Sequence, residues 1–129
     1  MEVGVTTKAA AIQSFLGSFG LDAYASTSVP DDADFPYITY NLVDGAWGDG
    51  EQAMQVDIWY YGGSEAAPNA KVQEISDAIG IGGVTLPCDA GLIWVKRGSP
   101  FAQSVADGSG DDSIKRRYLN IDLEYFTTH

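Results

Sequence analysis

Phe35-Pro36-Tyr37-Ile38-Thr39-Tyr40-Asn41-Leu42 and Ala53-Met54-Gln55-Val56-Asp57-Ile58-Trp59-Tyr60-Tyr61, joined by a Gly-rich segment, decide how this chain folds. A β-strand sends successive side chains to opposite faces. In the first run that period of two gathers Ile38, Tyr40 and Leu42 on one face and Tyr37, Thr39 and Asn41 on the other. The second run repeats the pattern, with Met54, Val56, Ile58 and Tyr60 together and Gln55, Asp57, Trp59 and Tyr61 opposite. Between them Gly45, Gly48 and Gly50 permit the positive backbone angles of a reversal. The pattern predicts an antiparallel hairpin with one buried face.

Outward from the hairpin, Thr6 or Thr7 is placed to cap a helix whose Ile12, Phe15, Leu16 and Phe19 form one apolar stripe, stopped by Gly20. Leu21 to Ser26 reads as a short strand, and 27–34 as a loop. Behind the hairpin, Gly62-Gly63-Ser64 breaks the strand. A second helix then starts at Ser64 or near Pro68, turns Val72, Ile75 and Ile79 inward, and ends at Gly80. Ile81 to Cys88, interrupted by Pro87, reads as an edge strand, and 91–97 as a stronger one. Residues 98–113 keep no periodicity and are expected to form a long flexible loop. Ile114 to Phe126 alternates again as a closing strand. The expectation is one α+β domain over 1–129, in the order α-β-β-β-α-β-β-β, with both helices on one face of a mostly antiparallel sheet.

Composition narrows the chemistry. The 129 residues suffice for one self-sufficient core. With 45% hydrophobic and 12% aromatic residues, the chain is in the globular range despite a net charge of −11. Residues 1–95 hold 13 of the 18 acids but only Lys8 and Lys71 among the bases, whereas in 96–129 five acids meet five bases. So acidic a surface gives nucleic acid little to bind, because that affinity comes from Lys and Arg displacing counterions. Cys88 is the only cysteine, which excludes an internal disulfide and fits a cytosolic origin. No secretory leader and no apolar run of bilayer length is read.

The usual catalytic constellations find little material. The single histidine, His129, is the last residue, so a Ser/His/Asp or Cys/His arrangement is not expected. Cys88, between Pro87 and Asp89, reads as a small packed or turn residue. The Asp107–Asp112 segment places Asp112 where a calcium loop requires Gly, and Tyr118 where it requires Glu. No phosphate-cradling glycine motif precedes a helix. Asp57, Asp122 and Glu124 lie on polar strand faces, where solvated acids are ordinary. The expectation is a protein without catalytic residues, metal or cofactor.

What remains is surface. Tyr37, Trp59, Tyr61, Tyr118 and Phe126 project from the side away from the predicted core. Either loops and the first helix cover them, or a partner subunit does. Lys96, Arg97, Lys115, Arg116 and Arg117 bracket the 98–113 segment. They read either as strand-end solubilising charges or as the basic pole of a head-to-tail contact between copies.

Phe35-Pro36-Tyr37-Ile38-Thr39-Tyr40, then Val56-Asp57-Ile58-Trp59 before a helix, then Tyr118-Leu119-Asn120-Ile121-Asp122-Leu123-Glu124-Tyr125, resemble tail terminator proteins of long-tailed bacteriophages, also called tail completion or tail-to-head joining proteins. The resemblance spans most of the chain; the 98–113 segment departs from it. It implies a structural virion protein, assembled in the host cytoplasm, that forms a ring, commonly of six copies, at the tail–neck junction. Such a ring caps the tail tube, stops its elongation and meets a neck or head-completion protein while DNA passes through unbound. On this reading Arg97, Phe101, Lys115, Arg116 and Arg117 make subunit or tube contacts, Tyr37, Trp59, Tyr61 and Tyr118 form an exposed aromatic face, and Asp57, Asp122 and Glu124 line an acidic lumen. The alternatives are another neck component, such as a head-completion or stopper protein, and a domain that binds a small ligand with Asp57 or Asp122 as its polar group.

Overall fold

The structure, a computed structural model, describes residues 7–41, 50–89, 91–105, 109–110 and 113–127. Two helices, α1 (Lys8–Gly17) and α2 (Ala66–Ile79), accompany six strands: β1 (Asp22–Ala25), β2 (Tyr37–Tyr40), β3 (Glu51–Tyr61), β4 (Val84–Cys88), β5 (Gly91–Val105) and β6 (Ile114–Thr127). The architecture is α+β, in the order α-β-β-β-α-β-β-β. The strands form one sheet, β1-β2-β3-β6-β5-β4, with a parallel β1–β2 pair and antiparallel pairs elsewhere.

The hairpin pairs as its alternation requires, Tyr37 opposite Trp59 and Tyr40 opposite Val56. Ile38, Tyr40, Met54, Val56 and Ile58 are buried on its inner side. Leu42 and most of the predicted reversal, residues 44–49, lie outside the described residues; Gly50, at its end, has the positive φ of 86° that the reversal calls for. The closing strand β6 inserts between β3 and β5, so its inward residues Leu119, Ile121, Leu123 and Tyr125 occupy the middle of the core.

Ile12 and Leu16 of α1 and Ile75 and Ile79 of α2 join that same buried cluster, which places both helices on one face. Five strand spacings in a flat sheet would separate β1 from β4 by about 24 Å, roughly twice a helix diameter. Yet α1 touches both edge strands, so the sheet curls around it. Thr7 starts α1 by accepting a bond from the Ala10 amide at 3.0 Å. The helix ends at Gly17, earlier than the apolar stripe predicts. Beyond that weak helix former, the Ser18 amide and hydroxyl both turn back to the Phe15 carbonyl. Phe19 remains buried nonetheless.

The expected loop over 98–113 is corrected over 98–105; residues 106–108 and 111–112 lie outside the described residues. β5 continues to Val105, and Ala102 to Val105 pair with Leu119 to Arg116. Residues 98–101 oppose Asn120 alone, which shifts the register and hides the strand's periodicity from a sequence reading. Glycine is required at position 98, because a Cβ there would lie 2.8 Å from Asn120 Cβ and 2.9 Å from its carbonyl oxygen. The Asn120 side chain donates to the Pro100 carbonyl at 2.9 Å and holds the bulge in place.

Candidate interaction surface

The alternation that buries one side of the sheet leaves Tyr37, Trp59, Tyr61, Arg116, Tyr118 and Phe126 on the other, away from both helices. At the hairpin end the aromatic groups join into a cluster. Tyr37 stacks on Trp59 with ring centroids 6.3 Å apart and planes 20° apart. Phe35 bridges Tyr37 at 5.3 Å and Tyr61 at 5.6 Å, and Tyr24 meets Tyr37 edge-on at 6.1 Å. The Trp59 indole donates to Thr39 Oγ1 at 2.9 Å, which fixes the ring against its neighbouring strand. Tyr61 is 61% exposed, so the cluster has an open rim. Tyr37 and Trp59 of this cluster also line a groove of about 300 Å³, together with Thr39, Asn41, Gln55 and Asp57.

Arg116 belongs to this cluster and is not a free cation. Its guanidinium lies 5.0 Å above the Trp59 ring, and its Nε donates to Asp57 Oδ1 at 2.9 Å. Asp57 is buried, so neither member of the pair offers a bare charge to DNA or to a tube.

At the opposite end of the same face, Lys96 Nζ sits 4.2 Å over the Trp94 ring and pairs with Glu51 and, at 3.2 Å, with Glu124. The Glu51 contact and the Glu124 contact both hold the Lys96 ammonium above its usual range, against desolvation that lowers it. Phe126 packs on Trp94 at 6.1 Å. Of the three acids expected to line a lumen, Asp57 and Glu124 are thus neutralised in place. Asp122 makes no ion pair among the described residues.

Burial, and then the Glu51 charge, push the Asp122 carboxyl above the ordinary range. A carboxyl whose folded pKa is raised disfavours folding above that pKa, and the penalty fades as pH falls and both states become protonated. Asp122→Asn is therefore expected to raise Tm at pH 7 and to leave it unchanged at pH 3. Thermal melts at both values check this, and an equal Tm at pH 7 contradicts it.

Arg117 requires the largest correction. It shares the inward parity of Leu119 and is 5% exposed. Its Nη2 donates to Glu65 Oε1 at 2.5 Å and to Asn69 Oδ1 at 2.9 Å. Glu65, the N-cap of α2, makes no capping bond with its own side chain. Its carboxylate instead receives Arg117, and Lys115 at 3.5 Å. The hydrogen bond from Arg117 holds the Glu65 carboxyl below its usual range. Arg117 and Lys115 therefore fasten the start of α2 to β6, and Arg117 is buried within its own chain where an exposed contact residue was expected.

Arg97 is different. It is exposed, its Nη1 donates to Ser76 Oγ at 2.8 Å, and among the described residues it has no acidic partner. Phe101, half-buried, leans on the core from the bulge. Both line a hollow of about 400 Å³ with Ile81, Trp94 and Lys96. Tyr118 is half-buried, opposite Asp57 and Gln103. The sequence reading missed Tyr24 and Phe35 in the cluster, and Ile81, which is 98% exposed. Tyr24 alternates with the buried Ala23, the one signal by which it was findable.

Among the described residues no group of three or more His, Cys, Asp or Glu side chains is arranged to hold a metal ion, and no helix is long and apolar enough to cross a membrane. Comparison with protein-family models and with curated proteins finds no match for the chain.

Proposed function

We propose that this chain is the subunit of a ring of six copies that caps the tail tube of a long-tailed bacteriophage, stops its elongation and joins it to the neck. The observation that carries the reading is the sheet face on which, among the described residues, no helix packs. Its aromatic cluster opens to solvent at Phe35 and Tyr61, and Phe126 lies exposed at the other end. A joined aromatic patch with an open rim is the kind of surface that protein partners cover. The resemblance carried by the hairpin and closing-strand residues supplies the partners: further copies of the chain, the tail tube protein and a neck or head-completion protein. A net charge of −11 suits a junction through which DNA slides unbound.

The test is negative-stain electron microscopy of the purified protein with mass from light scattering, alone and with tail tubes. Rings, free or seated on tube ends, are the expected result. A monomer that also ignores tube ends would sink the reading. Rings that bind only the head side would favour the other neck component. The groove beside Asp57 favours a second reading, a small-ligand domain, for which a ligand-dependent rise in Tm is the signature.

A further inference from the structure

Among the described residues the two ends of the sheet carry opposite unpaired charge, and each adds an exposed apolar residue, Phe35 at one and Ile81 at the other. At the β1 edge, Asp22, Asp31, Asp32 and Asp34 are exposed and have no ion pair among the described residues. The Tyr24 hydroxyl donates to Asp22 Oδ2 at 3.4 Å, and burial, then the charge and hydrogen bond of Asp22, then the charges of Asp32 and Asp34, hold it above its usual range. The Ala33 amide closes a turn on the Pro30 carbonyl at 3.1 Å, which gives this lip a defined shape. Phe35, 38% exposed, follows directly and supplies an apolar tip.

The hollow of about 400 Å³ lies at the far side of the sheet, between the turn before β4 and the bulge of β5. Ile81, 98% exposed, and Phe101 give it apolar wall, and Arg97 stands on it as an exposed cation without an acidic partner among the described residues. Lys71, Lys96, Lys115, Arg116 and Arg117 are all committed to carboxylates of their own chain.

From this complementarity we infer that the 31–35 lip of one copy docks in the Arg97 hollow of the next, with the Asp32 and Asp34 carboxylates on the Arg97 guanidinium and Phe35 against Ile81. The lip and the hollow sit at opposite ends of the strand order, so the contact is head-to-tail and propagates until it closes. Charge pairs of this kind select the partner and its register, while the apolar tip supplies contact area. The inference rests on the ring reading and names the surfaces that would build the ring.

Three variants test it: Arg97→Glu, the pair Asp32→Arg with Asp34→Arg, and the triple variant carrying all three changes. Each is checked for native melting by circular dichroism, then for rings by light scattering and microscopy, alone and on tail tubes. Arg97→Glu and the Asp pair are each expected to raise the concentration needed for half-assembly about tenfold or more, and the triple variant to restore it. Ile81→Asp serves as a second probe of the hollow and is expected to weaken assembly without altering the melt. Rings from Arg97→Glu at the wild-type concentration, or a triple variant that stays as defective as the singles, would overturn this contact and leave the ring reading standing. If the wild-type chain forms no ring even on tubes, the ring reading falls and this contact falls with it.

Discussion

Arg117→Glu is expected to unfold the domain under conditions in which Arg97→Glu leaves it intact, although the two side chains carry the same charge. Arg117 is 5% exposed and satisfied by Glu65 and Asn69, so reversal buries a carboxylate among acceptors. The cost arises at position 117 itself, where an unpaired carboxylate in a buried site costs about 3 kcal/mol or more, whereas Glu65 is half exposed and keeps its water. Arg117→Met keeps the volume and removes the charge. It is expected to lose less, because an apolar side chain of similar size needs no counter-ion there. Arg97 is exposed, so its reversal is expected to change stability by no more than about 0.5 kcal/mol. Urea unfolding of the three variants checks this, and an Arg117→Glu protein as stable as Arg97→Glu would contradict the placement of Arg117.

Ile121→Ala has the second large effect. Ile121 is fully buried in β6, opposite Met54 of β3 and Arg97 of β5, at the centre of the six-strand order. Truncating a buried Ile loses its transfer energy and leaves a cavity that neighbouring strands cannot close, at a cost of about 2–5 kcal/mol. The fall in Tm is expected to be roughly 10–20 °C. Tyr61→Ala, by contrast, removes a ring that is 61% exposed and should leave the melt nearly unchanged. Comparable Tm values for the two variants would show that the core does not centre on β6.

These contrasts mark what the sequence made legible. Where a strand has one buried face, alternation declares it, as in Ile38/Tyr40 and Met54/Val56/Ile58. The same parity, extended along β6 from Leu119, already separates Arg117 from Arg116; reading the basic run as a unit concealed it. Two features were beyond local pattern. The insertion of β6 between β3 and β5, and the parallel β1–β2 pair, follow from packing between segments distant in sequence. The second half of β5 was lost because residues 98–101 slip past Asn120, which moves the inward positions out of phase. The acids expected to line a lumen were correctly placed on the outer face. Their pairing with Arg116 and Lys96 depends on cross-strand register, which a single strand's sequence does not carry.

Under the proposed function this chain ends tail-tube growth. The most direct measurement is the length distribution of tail tubes polymerised from purified tube protein with and without the chain, read by electron microscopy. The account predicts that added protein halts elongation and decorates one end of each tube, with lengths set by the time of addition. Tubes that keep growing at the same rate, with bare ends, would contradict it.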